Sequence, residues 1–234
     1  MNKRYYISVI FPVYNEEENI EKTIRDSLIF LKKQNIFEAY EIIAIDDGSK
    51  DRTPEILKDL KNKIPCLKVV THNKNLGYGA AIVSGFKEGR FSLVFFMDAD
   101  GQFEVSSLKE AMGYVLDYDV VTGCRLKRED SLYRVALGKA YALLMRFLFR
   151  LEFKDINCGF KLFKRKVIED SYEINRGLFC AEFLLRAKNR GFRIKEAPVK
   201  HFSRIKGKQT GASLKVIANA VVEIFKLGIL QAKK

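Results

Sequence analysis

Apolar residues follow two alternating rhythms along the chain. Residues 6–11, 41–45, 67–71 and 91–97 are short, densely apolar runs bounded by Gly, Asn, Asp or Pro, the pattern of strands buried on both faces of a parallel sheet. Between them apolar positions recur at helical spacing, at Ile20, Ile24, Leu28 and Leu31, then at Ile56, Leu57 and Leu60, then from Ala80 to Lys87. Asn15 with Glu18 has the spacing of a capping box opening the first helix, and Thr53-Pro54 that of an N-cap and first helical position for the second. Strand–helix alternation over these units predicts a right-handed, Rossmann-like α/β sheet, whose ligands gather at the carboxyl ends of its strands.

Farther on, the pattern predicts a helix over 106–116, a strand over 119–122, a polar loop over 126–132 and a long helix over 133–153. A compact Gly and aromatic stretch (155–163), a helix from Cys180 ended by Gly191, and a strand over 192–196 follow. In the 133–153 segment Leu143, Leu144, Met145, Phe147, Leu148 and Phe149 cover more of a helix than one core face needs, with Arg134, Lys139, Arg146 and Arg150 interspersed. Such a helix either packs against several neighbours or lies on a bilayer with its basic side chains at the headgroups. A last helix, carrying Leu214, Ile217, Val221 and Phe225, is a second amphipathic candidate for membrane contact.

The strand ends carry the candidate chemistry. The fourth run stops at Asp98-Ala-Asp100-Gly-Gln102. Alternation along an extended backbone sends Asp98 and Asp100 to the same side, where they repel unless a cation lies between them. A hard divalent ion, Mg²⁺ or Mn²⁺, suits oxygen ligands and bridges to substrate phosphates, and Gln102 adds a neutral oxygen. A metal-free acidic turn is the competing reading of that stretch alone. The gathering of Tyr14, Asp46, Asp47 and Asn75 at the same sheet edge favours the metal. Asp46 and Asp47 are suited to a ribose hydroxyl or a base N–H. Gly77-Tyr-Gly79 lacks the third glycine of a dinucleotide fingerprint, since Ile82 stands there, which argues against a nicotinamide cofactor. The loop 205–211, with Lys206, Gly207, Lys208 and Gly211, is suited to wrapping a phosphate.

With 234 residues, 47% of them hydrophobic, the chain suffices for one large domain. Its four Cys are widely spaced and it has two His, which argues against a structural zinc site or a disulfide framework and fits a reducing compartment. The first residues run straight into a strand, without the pattern of a signal peptide, and no uncharged apolar stretch has membrane-spanning length. The net charge of +13 is unevenly placed: residues 1–124 hold 16 Lys+Arg against 19 Asp+Glu, residues 125–234 hold 26 against 10. The carboxylates thus belong to the first half, and a basic second half attracts anionic surfaces or phosphate-bearing ligands.

Taken in order, Pro12-Val-Tyr-Asn-Glu16, Asp46-Asp-Gly-Ser49, Asn75-Leu-Gly77, Asp98-Ala-Asp-Gly-Gln102, Cys158-Gly-Phe-Lys161 and Arg204 followed by Gln209-Thr-Gly211 resemble the family 2 glycosyltransferases, most closely the dolichol- and polyprenyl-phosphate sugar synthases. The resemblance implies a GT-A fold, a nucleotide-sugar donor of GDP-mannose or UDP-hexose type, Mg²⁺ or Mn²⁺, and inversion at the anomeric carbon. It implies that Pro12, Tyr14 and Glu16 contact the nucleoside, with Asp46 or Asp47 near the base and Asn75 at the same edge. Asp98, Asp100 and Gln102 would hold the metal on the diphosphate. Arg125 and Lys161 would face the donor sugar and the acceptor phosphate, and Arg204 would reach over the phosphates. Relatives often carry a Ser-Lys pair soon after this Arg; here the corresponding lysine is Lys208 or Lys215.

The expected organisation is a catalytic domain over 1–211, with a nucleotide and metal half (1–124) and a basic acceptor half (125–211), then an amphipathic helix over 212–234. The expected setting is the cytoplasmic face of a membrane, with peripheral attachment and a possible separate membrane-protein partner. An anionic lipid-phosphate acceptor needs no strong general base. A sugar hydroxyl acceptor needs one, for which Asp155 and Glu182 are the candidates. A nucleic-acid-binding module would account for the charge but not for the strand-end carboxylates, so no nucleic-acid partner is expected. A catalytically dead membrane scaffold is the remaining rival.

Overall fold

Alternation along the strands sorts their side chains onto two faces, and each face is covered by helices. The computed structural model describes residues 4–125, 132–168, 178–204 and Ile224. Within them, β1 (Tyr5–Val13), β2 (Phe37–Asp46), β3 (Leu67–Thr71), β4 (Leu93–Met97), β5 (Val120–Arg125), β6 (Phe160–Lys164) and β7 (Ile194–Val199) form one sheet in the order β3-β2-β1-β4-β6-β5-β7. Pairing is parallel except along β6, which is antiparallel to both β4 and β5.

On one face, Ile7, Val9, Phe11, Phe95 and Met97 pack with Ile20, Ile24 and Leu31 of α1 (Ile20–Lys33) and with Leu57 and Leu60 of α2 (Thr53–Lys63). On the other, Ile10, Ile43, Ile45, Val94 and Phe96 meet Ile82 and Phe86 of α3 (Tyr78–Glu88), Met145 of α5 (Leu132–Phe149) and Phe183 of α6 (Phe179–Asn189). The short α4 (Leu108–Met112) follows a 3-10 turn over Val105–Ser107. Neighbouring residues of one strand thus serve opposite layers, as a three-layer α/β fold requires. Helix α3 lies close on β1 because residue 85 is glycine: a Cβ there would stand 2.3 Å from Ile10 Cγ2. Pro12 costs the sheet no bond toward β4, since that pairing ends at Ile10.

The mostly parallel sheet flanked by helices is the architecture expected from the sequence, with local corrections. The stretch around Phe160 is an antiparallel strand; its pattern was masked by Lys161, a charged residue in a fully buried position. The proposed capping box does not form. Helix α1 starts at Ile20 with Asn19 at its N-cap, while Asn15 adopts φ +55° and its Oδ1 accepts the Lys50 N–H at 2.8 Å. Thr53 is the first residue of α2 rather than its cap. The helix expected over 106–116 is the short α4, and α5 ends at Phe149, where Arg150 turns to φ +52°. The loop 205–211 and, apart from the buried Ile224, the helix over 212–234 lie outside the described residues.

Candidate active site

The carboxyl ends of β1, β2 and β4 are stitched to one another by their own loops. After β1, the N–H of Asn15 donates to Ser49 Oγ at 2.9 Å, that of Glu16 to Thr53 Oγ1 at 2.9 Å, and that of Glu17 to Asp51 Oδ2 at 3.2 Å. This fixes Tyr14 at the rim, with its ring exposed.

The two aspartates ending β2 have different roles. Asp47 Oδ1 accepts the Leu76 N–H at 2.9 Å and lies 2.7 Å from His72 Nδ1, and its Oδ2 accepts the Gly77 N–H at 2.8 Å. It therefore anchors the loop that carries Asn75 into α3. Gly48 lets that loop sit down on the β2 turn, since a Cβ there would stand 2.6 Å from the Lys74 carbonyl carbon. Asp46 is fully buried; its Oδ1 accepts the Ser49 N–H at 2.9 Å, whereas its Oδ2 has no hydrogen-bond partner. A buried acceptor left open is costly and points to a ligand donor.

After β4, the turn is held from several sides. Thr23 of α1 donates to the Ala99 carbonyl at 3.3 Å, Gly101 supplies φ +76°, and the Gln102 N–H donates to Asp100 Oδ1 at 3.1 Å. Gln102, expected beside the carboxylates as an oxygen ligand, is buried, and its Nε2 donates to the Phe202 carbonyl at 3.0 Å. With the Phe202 N–H to Gln102 O bond of 2.9 Å, it ties the 201–204 stretch to this turn. Asp98 Oδ1 accepts the Tyr78 hydroxyl at 2.8 Å. Burial, then the charge of Asp100, pushes the Asp98 carboxyl up to about 7, against the pull of Tyr78, Arg125 and Lys161. Burial and the Asp98 carboxylate in turn hold the Tyr78 hydroxyl well above its ordinary range. A carboxylate pair short of positive charge, with oxygen donors only, fits Mg²⁺ or Mn²⁺. Among the described residues no group of three or more His, Cys, Asp or Glu side chains converges, at this edge or elsewhere.

Arg204 crosses to this edge from the other end of the chain. Its Nη2 donates to Glu16 Oε1 at 2.7 Å and its Nη1 lies 3.7 Å from Asp100 Oδ2. Asn19 Nδ2 donates to the other Glu16 oxygen at 2.7 Å. Burial raises the Glu16 carboxyl, with Asn19 and Arg204 offsetting part of the rise. Arg125 ends β5 in a bidentate pair with Asp155, at 2.6 and 2.8 Å. Glu182 accepts from Arg186 at 2.8 and 2.5 Å. Both candidate bases are thus ion-paired to an arginine. Lys161 is fully buried, its Nζ donating to the carbonyls of Cys158 at 2.7 Å and Ile156 at 3.2 Å, so contact with a ligand would require it to leave them.

The fold therefore gathers Pro12, Tyr14, Glu16, Asp46, Asp47, Asn75, Asp98, Asp100, Gln102 and Arg204 at the strand ends, while Lys208 and Lys215 lie outside the described residues. Tyr78, Gly159, Asn19 and His72 were not anticipated. The first two had a signal in the sequence: Tyr78 directly follows the Asn75-Leu-Gly77 motif, and Gly159 lies within the Cys158-Gly-Phe-Lys161 motif. The glycosyl transferase family 2 model matches residues 8–171, spanning these strand ends up to Lys161.

The chain belongs to glycosyl transferase family 2. Among its relatives, a Haloferax volcanii protein named glycosyltransferase AglD is 32% identical over 202 residues, covering 82% of this chain and 32% of its own. A dolichyl-phosphate β-glucosyltransferase of Trichomonas vaginalis is 31% identical over 213 residues, covering 83% of this chain and 65% of its own. An undecaprenyl-phosphate 4-deoxy-4-formamido-L-arabinose transferase of Pectobacterium atrosepticum is 32% identical over 164 residues, covering 69% and 50%. The chain thus spans from about a third to two thirds of the length of these relatives. In fold it resembles a Pyrobaculum calidifontis mannosyltransferase solved with GDP-Man and Mn²⁺, at TM-score 0.66 and 20% identity over 97% of this chain and 64% of that one. Glucosyl-3-phosphoglycerate synthase of Mycobacterium tuberculosis, solved with Mn²⁺ and UDP, gives TM-score 0.66 at 18% identity, covering 97% and 78%. The family 2 sheet is therefore GT-A in architecture. No helix among the described residues is long and apolar enough to cross a membrane.

Proposed function

We propose that this family 2 chain is the catalytic part of an inverting glycosyltransferase that moves a sugar from a nucleotide-sugar donor to a polyprenyl- or dolichyl-type lipid phosphate. The observation that carries the reading is the charge-starved Asp98 and Asp100 pair at the sheet's carboxyl edge, with Arg204 already reaching across to it. The names of the relatives, which include transferases to dolichyl and undecaprenyl phosphate, support the acceptor.

In this reading Tyr14 borders the nucleoside, and the open Oδ2 of Asp46 accepts an N–H of the base or a ribose hydroxyl. Asp47 contributes indirectly, by fixing the Asn75 loop. Asp98 and Asp100 would hold Mg²⁺ or Mn²⁺, which when bound would supply positive charge to the leaving group. Arg204 exchanges Glu16 for the diphosphate and adds charge where the glycosidic bond breaks. An acceptor phosphate oxygen forms the new bond to the anomeric carbon while the electron pair of the old one departs with the nucleotide diphosphate. The acceptor is already ionised, so no residue need remove a proton, in keeping with Asp155 and Glu182 being ion-paired. Arg125, on the basic half, would turn from Asp155 to the acceptor phosphate.

Helix α5 supports peripheral attachment to a membrane surface, which this reading takes to be the cytoplasmic one. Leu143, Leu144, Phe147 and Leu148 are exposed, Phe147 to 84%, beside the basic Arg146. A sugar hydroxyl acceptor is the alternative outcome. Incubation with labelled nucleotide sugars, Mn²⁺ or Mg²⁺ and a polyprenyl phosphate tests the choice. Label should enter the lipid extract in a metal-dependent manner; label found only in water-soluble product overturns the lipid acceptor.

A further inference from the structure

Asp98 is gripped by parts of the chain far from it in sequence. We infer that Tyr78 and Gly159 form a preshaped seat for the Asp98 carboxylate, with Lys161 locking the loop that delivers Gly159; all three are positioning residues, and none is a ligand. The inference rests on the metal role proposed for Asp98.

The Tyr78 side of the seat is the donated hydrogen bond to Oδ1, 2.8 Å long. Tyr78 opens α3, and its position is set from both ends of that helix. Asp47 holds the backbone N–H groups of Leu76 and Gly77 just before it, and Gly85 seats the helix on β1. The ring itself packs edge-on to Phe179, with centroids 6.3 Å apart, and remains 40% exposed. Ring packing alone would be met equally by phenylalanine, so the hydroxyl is the part that Asp98 uses.

The opposite side is backbone. The Asp98 N–H donates to the Gly159 carbonyl at 3.1 Å, and a Cβ on Gly159 would stand 1.9 Å from Asp98 Oδ2. Any side chain there would expel the carboxylate from its place. The requirement is for space: the φ of Gly159 is not in the left-handed region. Gly159 is in turn positioned by the turn before it, which Lys161 closes from below through the carbonyls of Cys158 and Ile156. A buried ammonium is a costly way to fill a β-strand position that leucine or methionine would fill without charge. Here it pins the turn, and its positive charge is felt by Asp98.

The test is Mn²⁺ binding, followed by electron paramagnetic resonance, for the whole chain titrated with Mn²⁺ alone and with UDP or GDP present. Tyr78→Phe and Gly159→Ala should each weaken Mn²⁺ by about 10–100-fold, the range for residues that orient a ligand without being one. Binding of the nucleotide in EDTA should be unchanged. In turnover assays the metal concentration for half-maximal rate should rise in Tyr78→Phe, while the rate at saturating metal stays within a few-fold. Lys161→Met should weaken Mn²⁺ in the same sense; if it does not fold, Tyr78→Phe decides. Wild-type Mn²⁺ affinity in both Tyr78→Phe and Gly159→Ala overturns the seat. Asp98→Asn separates the two readings. If it abolishes Mn²⁺ binding while the seat variants do not, only the seat is wrong; if it binds Mn²⁺ like the wild type, the metal role of Asp98 falls and the seat with it.

Discussion

Two aspartates at opposite ends of the same sheet, Asp119 buried and Asp98 half-buried, show how differently one fold treats a carboxylate. Asp119, ahead of β5 at the amino-terminal edge, is surrounded by fixed partners: Lys166 Nζ at 2.8 Å, Lys164 Nζ at 3.1 Å and the Arg193 N–H at 3.1 Å. Burial works against its charge, but those bonds outweigh it and bring the carboxyl down to about 2. Asp98, at the carboxyl edge, meets burial and the like charge of Asp100 with too little to offset them, and rises to about 7. A structural charge is completed by the chain; a functional one is left for its ligand to complete. The comparison also separates the two basic roles in the protein. Lys164 and Lys166 are structural counter-ions, whereas Arg204, paired with Glu16, is in the proposed reading a provisional one that a more anionic ligand would claim.

The comparison can be broken most directly at Asp98 and Asp100. Asn at either position should lower turnover by about 10³-fold or more with the fold retained, measured as sugar transfer at saturating metal. Near-normal turnover in either variant would place the two carboxylates outside the chemistry. Arg204→Ala should come next, at about 10²-fold in kcat with little change in stability, since it removes charge stabilisation in the transition state rather than core packing. Asp119→Asn should do the reverse. It should cost about 1–3 kcal/mol of stability by urea denaturation, because two lysines lose their acceptor, and leave kcat unchanged.

The smallest effect sharpens the contrast through pH. The Asp98 carboxyl is raised in the folded state, so the metal-free protein binds more protons than its unfolded chain between about pH 4 and 7. Its contribution to stability is full below the unfolded pKa and is lost as pH rises through about 7. Thermal melts in EDTA should therefore find Asp98→Asn more stable than the wild type at pH 8, by about 1–2 kcal/mol, with the gap closing toward pH 4. Asp119 has the opposite sign: its contribution is present above about pH 4 and lost as pH falls through about 2. A wild-type melt that does not weaken between pH 5 and 8, with no gain from Asp98→Asn, would show that Asp98 carries no stored repulsion.

Much of the site could be seen in the sequence because its residues follow strands directly. Asp46, Asp47, Asp98 and Asp100 had to lie at one edge once the four opening strand–helix units were parallel. The same reasoning could not divide labour between Asp46 and Asp47. One residue's difference along the backbone turns Asp47 onto the Leu76 and Gly77 amides and leaves Asp46 with an open oxygen. Nor could it see that Asn15 and Glu18 would not cap α1, because the N–H groups of Asn15 and Glu16 are already engaged by Ser49 and Thr53 of the neighbouring loop, and the Asn15 side chain by the Lys50 N–H. Strand β6 was hidden for a related reason. Lys161 interrupts its apolar pattern, and only the carbonyls of Ile156 and Cys158, brought beneath the sheet by the turn, make a lysine tolerable there.

By itself the sequence determined the layering of this protein, the parallel run of its first strands and the acidic edge where they end, since periodicity is a local property carried by consecutive residues. Only the tertiary structure decided that Arg204 meets Glu16 across 188 positions, that β6 enters antiparallel, and that Gly159 must be small to leave room for Asp98. Those are contacts between distant segments, and their geometry exists only once the sheet has brought the segments together.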